Sequence, residues 1–243
     1  MKGTSTITDC GQNLYSTKIG QNAIQSKASS SNFERALKIF NSGIKRAENL
    51  LSIDDSSAGK KKLTITKDKL NDSYRAVIVL SISALDSFIK TYLGEEIRIC
   101  LSKGNLSSNL KQYIKDELFN KDKDSLVNSV LEPDFYDRVL EKFEEDFKNK
   151  SFQGQKLIDK YMKLAGVEQV FKQISKNANI SADNLQSNLE IYTQRRHQIV
   201  HCGDHDLSQT EPTENMISKK DAQNCVKLVK TIAAEIHKMR EKR

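Results

Sequence analysis

The chain has 243 residues, with 39 Lys and Arg against 32 Asp and Glu, and carries a formal net charge of +7. That length supports one domain with a sizeable core. Two prolines and ten glycines leave few breaks for a many-stranded β protein, so the composition favours long helices. The longest apolar run, Ala76 to Leu80, falls short of the ~20 residues of a membrane-spanning helix. The opening stretch MKGTSTITDCGQNLYS has no apolar signal core. A cytoplasmic protein without a membrane segment is the expectation. Cys10, Cys100, Cys202 and Cys225 are scattered and form no CxxC pair, which fits reduced thiols. The basic charge permits an anionic partner without requiring one.

In chain order, residues 1–30 are rich in Ser, Thr, Asn, Gln and Lys and lack an apolar period, so they read as a flexible arm. A single helical domain, 31–243, follows. Ser31-Asn32 make a good N-cap pair, and Phe33, Leu37, Phe40, Ile44, Ala47 and Leu51 step by three or four, predicting a helix over about 33–51. Gly43 weakens it slightly. DDSSAGKKK, 54–62, reads as a solvated loop whose lysines could touch an anionic backbone. Leu70, Tyr74, Val77, Ile78, Leu85, Phe88, Ile89 and Tyr92 give the next helix, about 67–101, the wide apolar face of a central bundle helix. Between 104 and 179 come shorter periodic pieces near 106–119, 124–131, 134–147, 156–164 and 167–175. They predict a helical insert packed on the outside of the bundle, with Pro133 suited to the first turn of one piece.

Ser181 then opens a helix over about 181–202, with Gly203 placed as its left-handed cap. After a loop containing Pro212, Ser218 and Asp221 make a capping-box-like start for the last helix, about 218–241. The predicted fold is all-α.

One segment stands apart from scaffold: Tyr192 to Asp204, reading YTQRRHQIVHCGD. The apolar stripe of its helix runs Leu185, Leu189, Tyr192, Arg196, Ile199, so Arg196 occupies a place where the pattern asks for leucine. A guanidinium on a buried stripe is costly unless an anion or acceptor meets it. On the long helix, Val79, Ile82, Asp86, Ile89 and Leu93 form another apolar stripe with one charge set into it. Asp86 and Arg196 could therefore form a buried structural pair, or Arg196 could line an anion-binding cleft. His201 follows Arg196 by five residues, about 140° around an ideal helix, so the two converge at the frayed last turn or across a two-fold axis. His197 and His201, at i and i+4, share a face. Arginine holds a phosphate through two N–H donors, and histidine moves a proton near neutrality. RNA supplies its own 2′-hydroxyl nucleophile, so such a cleft can cleave it without a metal. The spacing of His197, His201 and His205 beside Cys202 also suggests zinc, although Gly203 should end the helix before His205 and no second cluster completes the ligand set. His237, in a charged last turn, reads as an exposed residue favoured by the helix dipole.

Arg196-His197-Gln198-Ile199-Val200-His201 resembles the R-x(4–6)-H signature of the HEPN superfamily, including the polar residue after the arginine and the apolar pair before the histidine. The Cys202-Gly203-Asp204 that follows, and Asp86 within Ser83-Ala-Leu-Asp-Ser-Phe-Ile-Lys90, are similar in particular to its RiboL-PSP-HEPN-like branch. The resemblance covers the helices bearing Asp86 and Arg196, and loosely the last one. It implies a HEPN-like all-α bundle that forms a homodimer with two motif copies in one composite cleft. It implies a metal-independent endoribonuclease without cofactors, acting on RNA in a toxin–antitoxin or anti-phage defence setting, with a cognate antitoxin or defence partner. Under it Arg196 stabilises phosphate charge, His201 is the catalytic acid and base, His197 is a polar helper and Asp86 orients Arg196. Gly203 stands where some members carry a modifiable tyrosine two residues after the histidine. The alternative that the resemblance also holds open is a non-catalytic dimerisation or RNA-binding module.

Overall fold

Helices form where apolar residues recur every three or four positions, and the computed structural model, which describes residues 33–53, 66–119, 134–208 and 210–241, follows that rule closely. Helix α1 covers 33–51 and α2 covers Lys67–Ser102. A short α3, Ser108–Tyr113, runs on into a π-helical turn, Ile114–Leu118. Then come α4 (Phe135–Lys148), α5 (Gln155–Leu164), α6 (Val170–Ala178), α7 (Ala182–Cys202) and α8 (Lys219–Glu241). Among the described residues, β pairing is confined to one isolated bridge between His205 and Glu214. The expected arm (1–30), the 54–62 loop, the Ser31-Asn32 cap, Pro133 and the 124–131 piece lie outside the described residues.

The axis of the fold is α2. Its Ile82, Leu85, Phe88, Ile89, Leu93 and Ile97 are fully buried, each such side chain contributing ~1.5–3 kcal/mol. Contrary to the expectation from the apolar run alone, α2 is long and apolar enough by composition to cross a membrane. Its apolar side chains are instead covered by neighbouring helices, α8 and α7 among them. Helix α1 runs antiparallel to α2, with Phe33 against Tyr92 (5.3 Å between ring centroids) and Phe40 against Phe88 (5.7 Å). Gly43 proves to be a contact requirement, because a Cβ there would lie 2.8 Å from that of Ala84.

The described residues of the 104–179 segment share the core of the other helices. Its Phe119, Val139, Phe143, Phe147, Phe152, Ile158 and Tyr161 are buried in the same hydrophobic cluster as α1, α2, α7 and α8. The modest sequence stripes concealed this because much of the segment's burial comes from aromatic rings packed edge to face, such as Phe152 on Tyr161 at 5.0 Å.

Candidate functional site

Helix α7 is set by its two ends. The Ser181 hydroxyl accepts from the Asn184 amide at the N-terminus, and Gly203 (φ +58°) turns the chain left-handed at the C-terminus, as the sequence predicts. Between them Leu185 and Leu189 are buried, while Tyr192 and Ile199 pack against the core. Arg196 continues this inner stripe and is half-buried. Its Nε is buried without a hydrogen-bond partner. Burial, with smaller effects of Cys225 and Asp221, pushes the Tyr192 phenol up to about 12, so it stays neutral.

The pair expected between Asp86 and Arg196 does not form. Asp86 accepts the backbone N–H of Phe152 and pairs with Lys90 at 3.2 Å, tying the segment before α5 to α2. An acid one helical turn from a lysine meets it locally, and a tight loop then supplies the second donor.

His197 and His201 are both exposed, and their rings meet in a tilted contact, 4.4 Å between centroids and 42° between planes. They lie on the polar face of α7, away from the stripe that carries Arg196. The same face carries Glu190 and Gln194, and beside it an open groove of about 1160 Å³ runs between α5 and α7, reaching Lys156 and Gln186. His205 is swung away by the left-handed turn, its Nδ1 lying 3.3 Å from the Cys202 carbonyl oxygen.

The adjacent arginine has a different fate. Arg195 Nη2 donates to Asp204 Oδ2 at 2.8 Å and to the carbonyls of Asn215 (3.2 Å) and Met216 (3.0 Å). Arg75 of α2 donates its Nε to the same Asp204 oxygen at 2.7 Å, and its Nη2 to Glu214 (3.0 Å) and the Asn215 carbonyl (3.2 Å). Burial works against the charged form of Arg75, yet the hydrogen bond to Asp204 and the charge of Glu214 outweigh it and raise its pKa. Of two neighbouring guanidinium groups, one is committed to the fold and the other keeps a donor in reserve.

A family model described as RiboL-PSP-HEPN matches residues 41–239. The chain belongs to the RiboL-PSP-HEPN family. The match runs through the 104–179 segment as well as the helices that carry the resemblance, in keeping with their shared core. Membership in this HEPN family points to a nuclease or RNA-related module. No curated protein and no solved structure matches the chain. In this RiboL-PSP-HEPN chain the sequence pattern assigned no role to Arg75, Arg195 or Asp204, although Asp204 belongs to the Cys202-Gly203-Asp204 that carries the resemblance. The available signal was Arg75 within the apolar face of α2, one turn from Ile78 and beside Tyr74.

Proposed function

We propose that this protein is a metal-independent endoribonuclease whose composite site combines Arg196 and His201 from two copies of the chain. The observation that carries the reading is Arg196: a half-buried guanidinium on a core-facing stripe with its Nε unpartnered. Such a donor is costly to keep and fits a phosphate that arrives with substrate. His201 is exposed at the end of the same helix, and in this reading it takes the 2′-hydroxyl proton. The O2′ then attacks phosphorus, the bond to O5′ breaks, and a protonated histidine returns a proton to the leaving oxygen. The products are a 2′,3′-cyclic phosphate and a 5′-hydroxyl. Arg196 stabilises the charge gathered on the non-bridging oxygens. His197 assists by supporting the His201 ring, and the groove beside the histidine face holds the flanking single strand. Asp86, engaged elsewhere, is left out of the catalytic set.

Because Arg196 and His201 of one chain lie on different sides of α7, a two-fold pairing brings an arginine of one copy toward a histidine of the other. The setting we propose is a cytoplasmic toxin–antitoxin or anti-phage defence system with a cognate partner. The test is incubation of the purified protein with a mixed RNA pool in EDTA, alongside Arg196→Ala and His201→Ala. Cleavage by the wild type that disappears in both variants supports the reading. RNA binding without any product, unchanged in both variants, replaces it with the non-catalytic module.

A further inference from the structure

Asp204 sits just past the motif helix and is buried to zero exposure. One oxygen, Oδ2, receives Arg75 and Arg195 at 2.7 and 2.8 Å. Its backbone is equally engaged: the N–H donates to the Gln198 carbonyl at 3.1 Å, and the carbonyl accepts the Asn215 N–H at 2.8 Å and Nδ2 at 2.9 Å. Its φ is +64°, the left-handed region, directly after Gly203 at +58°. A non-glycine residue holds that conformation where its surroundings over-determine it. Three elements thus meet on one residue: α2 through Arg75, α7 through Arg195 and Gln198, and the 214–216 segment through Asn215. His201 lies three residues upstream, inside the turn that the Asp204 N–H closes.

We propose that Asp204 is a positioning residue, whose charge fixes the last turn of α7 and so the direction in which His201 faces. The catalytic consequence rests on the ribonuclease reading above; the geometric one does not. A clamp that served only stability would lower the melting temperature and leave the histidine rings where they are. A positioning clamp moves them.

Asp204→Asn separates the two, since asparagine accepts the left-handed backbone and nearly the same volume but removes the charge that holds both guanidinium groups. The measurements are the ring carbon–proton NMR signals of the histidines and steady-state RNA cleavage in EDTA. His237, on α8 and 3.6 Å from Glu241, is the internal control. Expected are shifted or broadened His201 signals, unchanged His237 signals, a kcat lower by about 100-fold and a KM within about two-fold of wild type. Unmoved His201 signals with an unchanged kcat overturn the proposal and leave the ribonuclease reading standing. A wild-type chain that cleaves no RNA sinks that reading alone, and the His201 signals then decide the positioning by themselves. Should Asp204→Asn fail to fold, Arg195→Met, which removes one arm of the clamp from a partly exposed position, decides in the same way.

Discussion

The rings of His197 and His201 lie in tilted contact, 4.4 Å between centroids, on the outward face of α7, while Arg196, only one residue from His197, follows the inward stripe. The proposed site draws one of these side chains from each of two copies, and complementation tests this. Arg196→Ala and His201→Ala chains, each inactive alone, are expected to regain activity when mixed and allowed to exchange. With random pairing, half of the dimers are mixed and each carries one complete site of two, so roughly a quarter of wild-type cleavage should return. No recovery, in a mixture shown by native mass spectrometry to contain the mixed dimer, counts against a site built from two chains.

Gly203 ends α7 in the left-handed region, and a Cβ placed there would lie 3.4 Å from His205 Nδ1. Gly203→Ala is expected to cost about 1 kcal/mol, chiefly backbone strain, and to lower Tm by about 2–4 °C. Gly203→Asn should cost less, because asparagine visits this region more readily. Thermal unfolding followed by circular dichroism checks the order; an alanine variant as stable as wild type contradicts it.

Local signals carried most of the architecture. The Ser218 and Asp221 cap forms in both directions, with the Ser218 N–H donating to the Asp221 carboxylate at 3.0 Å and the Asp221 N–H to the Ser218 hydroxyl at 3.2 Å. Such spacings are readable because both partners lie within one turn. Arg196 was also legible, since a charge in an apolar period is visible without coordinates. What escaped were pairings between distant segments. Arg75 and Asp204 are 129 positions apart, and no period links them. Asp86 misled because an acid on an apolar stripe advertises a need for a donor without saying which donor, and the Phe152 amide answered first.

Cys225 is fully buried on α8, and burial pushes its thiol up to about 12 although the Ser81 hydrogen bond pulls slightly the other way. Only the thiolate reacts with alkylating reagents. At pH 7.5, Cys225 is therefore expected to resist iodoacetamide in the native protein, while the half-buried Cys202 labels, and to label fully in guanidinium chloride. Peptide mass spectrometry of the labelled sites makes the comparison. Native labelling of Cys225 at the Cys202 rate contradicts the packing of α8 on α2.

Asp146 joins the aromatic cluster of the 104–179 segment. It accepts from the hydroxyls of Tyr113 and Tyr161, themselves 2.7 Å apart, and pairs with Lys150. Burial raises its pKa, but the bond from Lys150 and those from the two phenols prevail and leave it below the usual value. Free aspartate titrates near ~3.9, so the stabilisation is complete above that pH and fades as pH falls through the lower folded value. Asp146→Asn is expected to cost about 1–3 kcal/mol at pH 7, with the difference from wild type shrinking below about pH 4. Urea unfolding at both pH values measures it; a penalty that grows on acidification has the wrong sign.

Arg196 yields the sharpest opposition between stability and activity. It holds a stripe position between Tyr192 and Ile199, which pack on the core, and its buried Nε has no partner. A donor left unsatisfied in that way costs about 1–3 kcal/mol, which a leucine of similar reach would recover while adding apolar burial. Arg196→Leu is thus expected to unfold at higher urea than wild type, with an unchanged m-value, and to cleave no RNA. Arg196→Lys keeps the charge but loses the two-pronged grip on phosphate, so a partial activity is expected from it. If the leucine variant proves less stable than wild type, Arg196 has a partner that holds it within its own fold, and the case for a guanidinium waiting on a phosphate goes with it.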